Sequence, residues 1–548
     1  MATLYHMSKN SKPISLIGRI RTLSSQRQII LILAILLLAA GLRFLDLGSG
    51  SVWLDEANEY WTASKNFSQL FDQTRFTNLD PPLYTYFLHF WSMLGMSESF
   101  LRFPSLVFSL IGVTGAMAVG NKLGGKQAGL LAGFFVAISP TDIRYAQEIG
   151  QYAWMLSSIF WIYYVLLRIS EQDDPGWSFY LAWLGLALIG TYTFYGVFFA
   201  IVIPFGMQFL FDLLARNWRG LTKKALILLA YGICLLPLII LYLPYQMGWA
   251  LGKPLDEMRI TISIFTFKAC LQSVVHSLSF LFTGWPYTRI PEWIPVSVIS
   301  ILFVENVATI KRSRKINRLW LLWGIMVFAV YSFVSTTGIY PGGFRHGLFL
   351  ITIVVPFLAS RLIVLFRSDW KKWLATTFTL TFVGISLVSS PQRSLRNFIY
   401  PNETWPWPET NFNLRPTFSY MLEYHQVGEP IYVYFGGNHV FRYYLRLFGM
   451  DRCQPEKPGI PCLSDDVIYG ERFSNQPDQA KINSLKSSLP AHVDSFWLFL
   501  MSVHSNDDEL ILNALQSDYQ IVNHSVSRGV QLYQFKQIEY LLIQRSLP

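Results

Sequence analysis

What most limits this chain is a series of apolar runs too long and too frequent for a soluble core. The first, "IILILAILLLAAGLRFLDL", occupies residues 29–47, and ten more follow near 101–120, 127–143, 150–167, 178–190, 192–214, 225–244, 292–310, 318–337, 346–365 and 371–389. About 20 apolar residues cross a bilayer as a helix. Inside hydrocarbon, a lone segment satisfies its backbone only as a helix. The runs therefore predict a polytopic α-helical membrane protein of about 11 spans, of which 127–143 and 178–190 are the shortest. Only 14% of residues are charged, against about 25% in soluble domains. The first run is too long for a cleaved signal peptide and lacks a small-residue cleavage site.

The formal net charge is +10, and its location decides its meaning. With 11 spans the loops alternate sides. One side receives Lys9, Lys12, Arg19, Arg21 and Arg27, then "NKLGGK", "RNWRGLTKK", "KRSRKINR" and "RSDWKK". The positive-inside rule places these in the cytoplasm, so the excess is topological and gives no reason to invoke nucleic acid. The reading is a multi-pass plasma (inner) membrane protein with a cytoplasmic amino terminus. The external side holds 48–100, "SPTDIRYAQEIG", 245–291, "TTGIYPGGFRH" and everything after about 390.

Three regions follow: a basic cytoplasmic stretch 1–28, a transmembrane domain 29–390 that includes the external loop 48–100, and a small external C-terminal α/β domain, 391–548. In the last, "IYVYF" (431–435) and "SFWLFLM" (495–501) read as buried strands, and "VQLYQFK" (530–536) as an edge strand. "HVFRYYLRLF" and "DDELILNAL" read as amphipathic helices between them. Cys453 and Cys462 in "CQPEKPGIPC" form a disulfide in one reading and stay as thiols in the other. No CxxC or His pair accompanies them to suggest zinc. Cys234 reads as inert packing.

Four stretches carry candidate chemistry. In "SVWLDEANEYW" (51–61), a short helix over 55–65 turns Asp55 and Glu56 about 100° apart, so one site uses only one of them directly. Glu59 shares a face with Asp55. Like charge, and burial between Trp53 and Trp61, would raise a carboxyl pKa into the range of a general base. The competing reading is a helix start with acids at the positive dipole end. Asp80 in "NLDPPLY" is either a turn-forming cap ahead of Pro81 or a second carboxylate on the same cavity. The aromatic helix after it suits a membrane surface. In "SPTDIRYAQEIGQYAW", a continuous helix would put Tyr145, Glu148 and Tyr152 on one face and pair Arg144 with Glu148. That is an exposed ion pair with interfacial tyrosines, or the wall of an external polar cavity. In "YPGGFRHG", Arg345 and His346 open a helix after Gly342 and Gly343. This is a phosphate site, or an arginine reaching for headgroups. No P-loop, GxGxxG, HExxH, GxSxG or EF-hand is present, and sequons at Asn66, Asn402 and Asn523 are common by chance.

The order of these stretches carries a resemblance. "WLDEANEY", "DPPLYTYFLHFW", "LRFPS", "SPTDIRYAQEIGQY", "FRHGLFLITIVVP" and the tail "NLRPTFSYMLEYHQVGEPIYVYF" with "FRYYL" and "FWLFLMSVH" resemble the GT-C membrane glycosyltransferases. The matching branch is that of bacterial protein O-mannosyltransferases and lipid A aminoarabinose transferases. The resemblance implies transfer of a single sugar from a polyprenyl-phosphate donor to an acceptor hydroxyl on a lipid, glycan or protein at the outer face. It implies Asp55 as base in an inverting single displacement, supported by Glu56, Asp80, Glu148 and Tyr145. It also implies Arg345, His346, Arg102, Arg144 and Tyr152 toward the donor phosphate and lipid. A double displacement, with Asp80 or Glu56 as nucleophile, stays open. No resident cofactor is required; a divalent ion beside Asp55, Glu56 and Asp80 is compatible but not demanded. Four positions depart from the family pattern: Asp80 and Phe194 replace histidines, Gly150 replaces an arginine, and Arg345-His346 replaces Arg-Tyr. The rival class is a non-catalytic binder of lipid-linked sugars, or a transporter or flippase, whose ionisable residues belong nearer mid-bilayer.

Overall fold

The computed structural model describes residues 16–76, 78–251, 275, 293–309, 314–336, 344–369, 371–389, 414–451, 463–471, 478–490, 493–501, 507–527 and 530–538. Gly342, Gly343, Cys270, Cys453, Cys462 and Asn402 lie outside them. The apolar runs become helices: α1 (Leu16–Phe44), α5 (Glu98–Gly124), α6 (Lys126–Ile138), α8 (Tyr152–Ser170), α9 (Trp177–Thr193), α10 (Val197–Leu214) and α11 (Trp218–Leu241). Then come the short α12 (Leu243–Leu251), α13 (Trp293–Thr309), α14 (Lys315–Thr336), α15 (Ile351–Phe366, entered through a 3-10 turn Phe344–Leu350) and α16 (Lys372–Val388). Among the described residues, seven helices are long and apolar enough to cross a membrane. Many carry an apolar stripe facing outward, as on α1, where Ile30 and Leu37 are exposed. Cys234 faces outward from α11 rather than packing inside. Such a surface suits lipid.

At the centre α5 packs against α6, α8 and α15. Gly125, at φ +82, turns the chain between α5 and α6. The two helices then touch backbone to backbone: a Cβ on Gly120 would come within 2.7 Å of the Ala128 carbonyl oxygen. Buried Arg43 pins this corner. It donates to Ser109 Oγ, to the Ala39, Val136 and Ala137 carbonyls, and to Asp142 Oδ1 at 2.6 Å. All five of its N–H groups are thereby used, and the end of α6 is capped by a cation.

The run predicted at 127–143 is cut in two. Ser139 ends α6 and, with Pro140 at the first helical position, starts the short α7 (Pro140–Ala146). The chain leaves the helix at Gln147 and re-enters at Tyr152, so Tyr145, Glu148 and Tyr152 do not share one continuous helix.

On the external loop lie α2 (Leu54–Ala63), α3 (Phe67–Phe76) and α4 (Leu83–Ser92). The C-terminal domain holds a five-stranded sheet in the order β2-β1-β3-β5-β4. Its strands are β1 (Ile431–Val433), β2 (Val467–Tyr469), β3 (Ser495–Met501), β4 (Tyr519–Ser527) and β5 (Val530–Gln537). Side chains of β3 alternate: Trp497 and Phe499 join the core shared with the external loop, while Phe496 and Leu498 join the core of the opposite face. The stretch "VQLYQFK" is interior rather than an edge, because β4 pairs along its free side. The domain docks on the loop. Tyr444 Oη accepts from Val52 N at 3.0 Å and donates to Glu98 at 3.0 Å, and Arg415 also meets Glu98. Trp53 is buried in the same shared core, and Trp61 lies beside His439, the rings tilted, and under Arg442 and Lys65. Both tryptophans thus pack on the C-terminal domain rather than walling in Asp55.

Candidate active site

Helix α2 separates its two acids by position. Asp55 is the second helical residue and Glu56 the third, where its carboxylate accepts from the Trp53 backbone N–H at 3.2 Å. Glu56 is buried and turned inward. Arg102 grips it with two parallel bonds, Nε to Oε1 at 2.7 Å and Nη2 to Oε2 at 2.6 Å. The remaining Arg102 N–H groups go to the carbonyls of Leu47, Gly50 and Ser51. Ile149 N–H adds a fourth bond to Glu56 at 2.8 Å. Arg102 was expected at the donor phosphate. With all five donors spent inside the protein, it instead fixes the loop 47–51, α2 and residue 149 relative to one another.

Asp55 faces the other way. It forms an ion pair with Arg345, which arrives from 290 residues further along the chain, on the turn ahead of α15. The two side chains keep 38% and 41% of their surface exposed, so both can be reached from outside the fold. His346 lies beside Phe194, ring centroids 6.4 Å apart, and Phe194 continues to Tyr152 and on to Tyr145. An aromatic wall therefore runs along one side of the Asp55–Arg345 pair.

Asp80 does not cap α4, whose N-cap is Pro82 without a side-chain bond. Its carboxylate accepts from Gln151 and sits in the field of Arg345 and Asp55. Loss of water raises its carboxyl to about 6, opposed by Arg345 and by the Gln151 bond. Desolvation likewise lifts Glu59 to about 7, against a 2.5 Å bond from Thr85, with Asp80 and Asp55 adding to the rise. Glu148 is buried and pushed up to about 8, opposed by Arg144 and Arg345 and reinforced by Glu56 and Asp55. Arg144 is buried and lies over the Tyr145 ring, away from any open surface. The geometry thus brings together Asp55, Asp80, Glu148, Tyr145, Tyr152, Arg345 and His346, and places Glu56, Arg102 and Arg144 behind them.

Three participants, Gln151, Gln246 and Tyr195, escape a reading by motif. Gln151 holds Asp80. Gln246 donates to the Asp80 and Thr74 carbonyls, and Tyr195 donates to Gln246. Glu59 is tied to Thr85. Amides and hydroxyls leave no spacing signature; only Glu59, four residues after Asp55, had one. Gly150 has room for a side chain, because a Cβ there would meet nothing closer than Glu148 Oε1 at 3.5 Å. Among the described residues, no group of three or more His, Cys, Asp or Glu side chains is arranged to hold a metal ion.

Comparison with known proteins places this geometry. No curated protein matches the sequence. The family model of dolichyl-phosphate-mannose-protein mannosyltransferases matches residues 80–242, a range that contains Asp80, Arg102, Glu148 and Tyr152 but neither Asp55 nor Arg345. Among solved structures, ArnT from Cupriavidus metallidurans bound to undecaprenyl phosphate aligns at a TM-score of 0.52 and 11% identity, over 92% of this chain and 97% of its own. The archaeal oligosaccharyltransferase AglB from Archaeoglobus fulgidus, in complex with an inhibitory peptide and a dolichol-phosphate, aligns at 0.53 and 11%, over 96% of this chain and 75% of its own. The chain is a multi-pass membrane protein with the ArnT- and AglB-like GT-C fold, and residues 80–242 carry the mannosyltransferase family pattern.

Proposed function

We propose that this protein is a glycosyltransferase that moves one sugar from a polyprenyl-phosphate carrier to an acceptor hydroxyl at the outer face of the membrane. The observation that carries the reading is the reachable pair of Asp55 and Arg345, set in a GT-C fold beside an aromatic wall. Cations concentrated on the opposite loops support an external site.

The chemistry needs a base and a place for charge. Without donor, Asp55 and Arg345 neutralise each other. A lipid-linked phosphate is a better partner for a guanidinium, so its arrival draws Arg345 away and frees the carboxylate. The acceptor oxygen then attacks the anomeric carbon while the carbon–oxygen bond to the phosphate breaks. The bonding electrons leave on the phosphate oxygen, where Arg345 balances the growing charge. The hydroxyl proton passes to Asp55 and later to water. One base opposite one leaving group gives inversion. Asp80, held by Gln151, orients the sugar, and the buried Arg102–Glu56 clamp keeps α2 in place.

The test is the anomeric configuration of the product made from a defined polyprenyl-phosphate sugar. Inversion together with loss of turnover in Asp55→Asn is expected. Retention of configuration overturns the single displacement. Donor binding with no turnover by the wild type moves the chain to the non-catalytic reading.

A further inference from the structure

The bundle has a second feature far from Asp55. Between α13, α14 and α15 runs an apolar groove of about 530 Å³, lined among others by Ile299, Phe303, Trp320, Phe328, Val354 and Phe357. One turn further along the same three helices opens a basic pocket of about 570 Å³, lined by Arg314, Asn317, Glu305, Ser360, Arg361 and Arg367. The two cavities lie in line on the same helices: Val304 is followed by Glu305, Trp320 lies one turn from Asn317, and Phe357 one turn from Ser360. At about 1.5 Å per residue, Arg367 stands about 33 Å from Arg345 along the α15 axis, roughly a hydrocarbon thickness away.

The charges are set unevenly. Glu305 accepts from Arg361 at 2.5 Å and meets Lys371 at 3.4 Å. Arg314 is aimed inward by a bond to the Leu123 carbonyl, and Arg367 has no ion pair among the described residues. Among the described residues, four cations (Arg314, Arg361, Arg367 and Lys371) thus surround one carboxylate, Glu305. Val304 and Val364, at the rims, are exposed, so the seam opens toward lipid.

We propose that this seam binds an anionic glycerophospholipid, with its phosphate among Arg314, Arg361 and Arg367 and one acyl chain in the apolar groove. Basic pockets between helices on the positive-inside face recognise such headgroups. A soluble phosphate would use the pocket but leave the groove unexplained. A sugar donor seated here would lie a membrane thickness from Asp55. The lipid site is independent of the role given to Asp55.

The experiment uses the full chain in nanodiscs of phosphatidylglycerol and phosphatidylcholine, followed by native mass spectrometry of the lipid retained after transfer to detergent. Wild type retains phosphatidylglycerol. The double variant Arg314→Glu/Arg367→Glu, at two exposed residues, loses at least about tenfold of that retention, since each basic residue contributes about 1 kcal/mol to such binding. Ala329→Trp fills the groove from an exposed position and lowers retention with the arginines intact, so a folding defect in the double variant leaves the question decidable. Equal retention in wild type and Ala329→Trp overturns the proposal. So does displacement of the lipid by millimolar inorganic phosphate, which would mark a free-anion site, or exclusive retention of polyprenyl phosphate.

Discussion

Asp55 and Glu56 are neighbours of the same chemistry, each paired with an arginine, and they have opposite fates. Glu56 is buried, accepts four bonds, and meets an arginine with no donor left over. Asp55 is part-exposed and meets an arginine on a mobile-length side chain from another element through one ion pair. The first pair lies where water cannot compete, so removing one partner strands a charge. The second lies where substrate can enter, so its partners can be exchanged. The difference is one residue of helix phase. Under the proposed mechanism, a single turn supplies both the support and the reacting group of the site.

The sharpest way to break that comparison is to neutralise each acid in turn. Asp55→Asn keeps the shape and removes the base; turnover should fall about 10²–10⁴-fold, with a melting temperature close to wild type. An Asp55→Asn enzyme that still transfers sugar would hand the role to Asp80. The mirror experiment is Arg102→Met, which leaves Glu56 buried and unpaired. It should cost about 3–5 kcal/mol of stability, read as a drop in thermal midpoint, and lower activity only in proportion to the folded fraction. If instead Arg102→Met folds normally and loses donor affinity, Arg102 belongs to the phosphate site after all.

Next in size is Arg345→Ala. Loss of a charge-assisted contact of about 1.5–3 kcal/mol should weaken donor binding about 10- to 150-fold while acceptor KM stays within twofold. Equal effects on both substrates would mean that Arg345 mainly holds Asp55 in place.

The sequence was informative about these regions to different degrees, for physical reasons. Spans are legible because hydrocarbon imposes one long-wavelength rule on every residue. The short helix over Asp55, and the separation of Asp55 from Glu56, follow from helix phase alone. The partners of each acid do not. Nothing local distinguishes Arg102, whose five donors are consumed, from Arg345, which remains reachable; that depends on where residues 46 or 290 positions away return. The break at Ser139 was written in the Ser-Pro pair but masked by the apolar run around it. Strand β4, "YQIVNHSVS", escaped because it is polar on its open side. Arg43 lies inside the first span, and its five bonds explain why a cation is tolerated there.

The finest probe of the contrast is Glu148, which feels both acids. Its folded pKa is about 8 against 4.5 for the free group, so near neutral pH it is mostly protonated and glutamine is a fair mimic. Glu148→Gln should therefore keep turnover at pH 7 within about threefold, a smaller effect than one lost charge-assisted bond would give. Because the native state holds the proton more tightly than the unfolded chain, this carboxyl's contribution to stability is complete below about 4.5 and is lost as pH rises through about 8. Thermal midpoints recorded from pH 5 to pH 9 should decline less steeply in Glu148→Gln than in wild type. Parallel curves would mean that Glu148 is ionised in the folded protein, with Arg144 outweighing burial, and would place a third charge beside the Asp55–Arg345 pair.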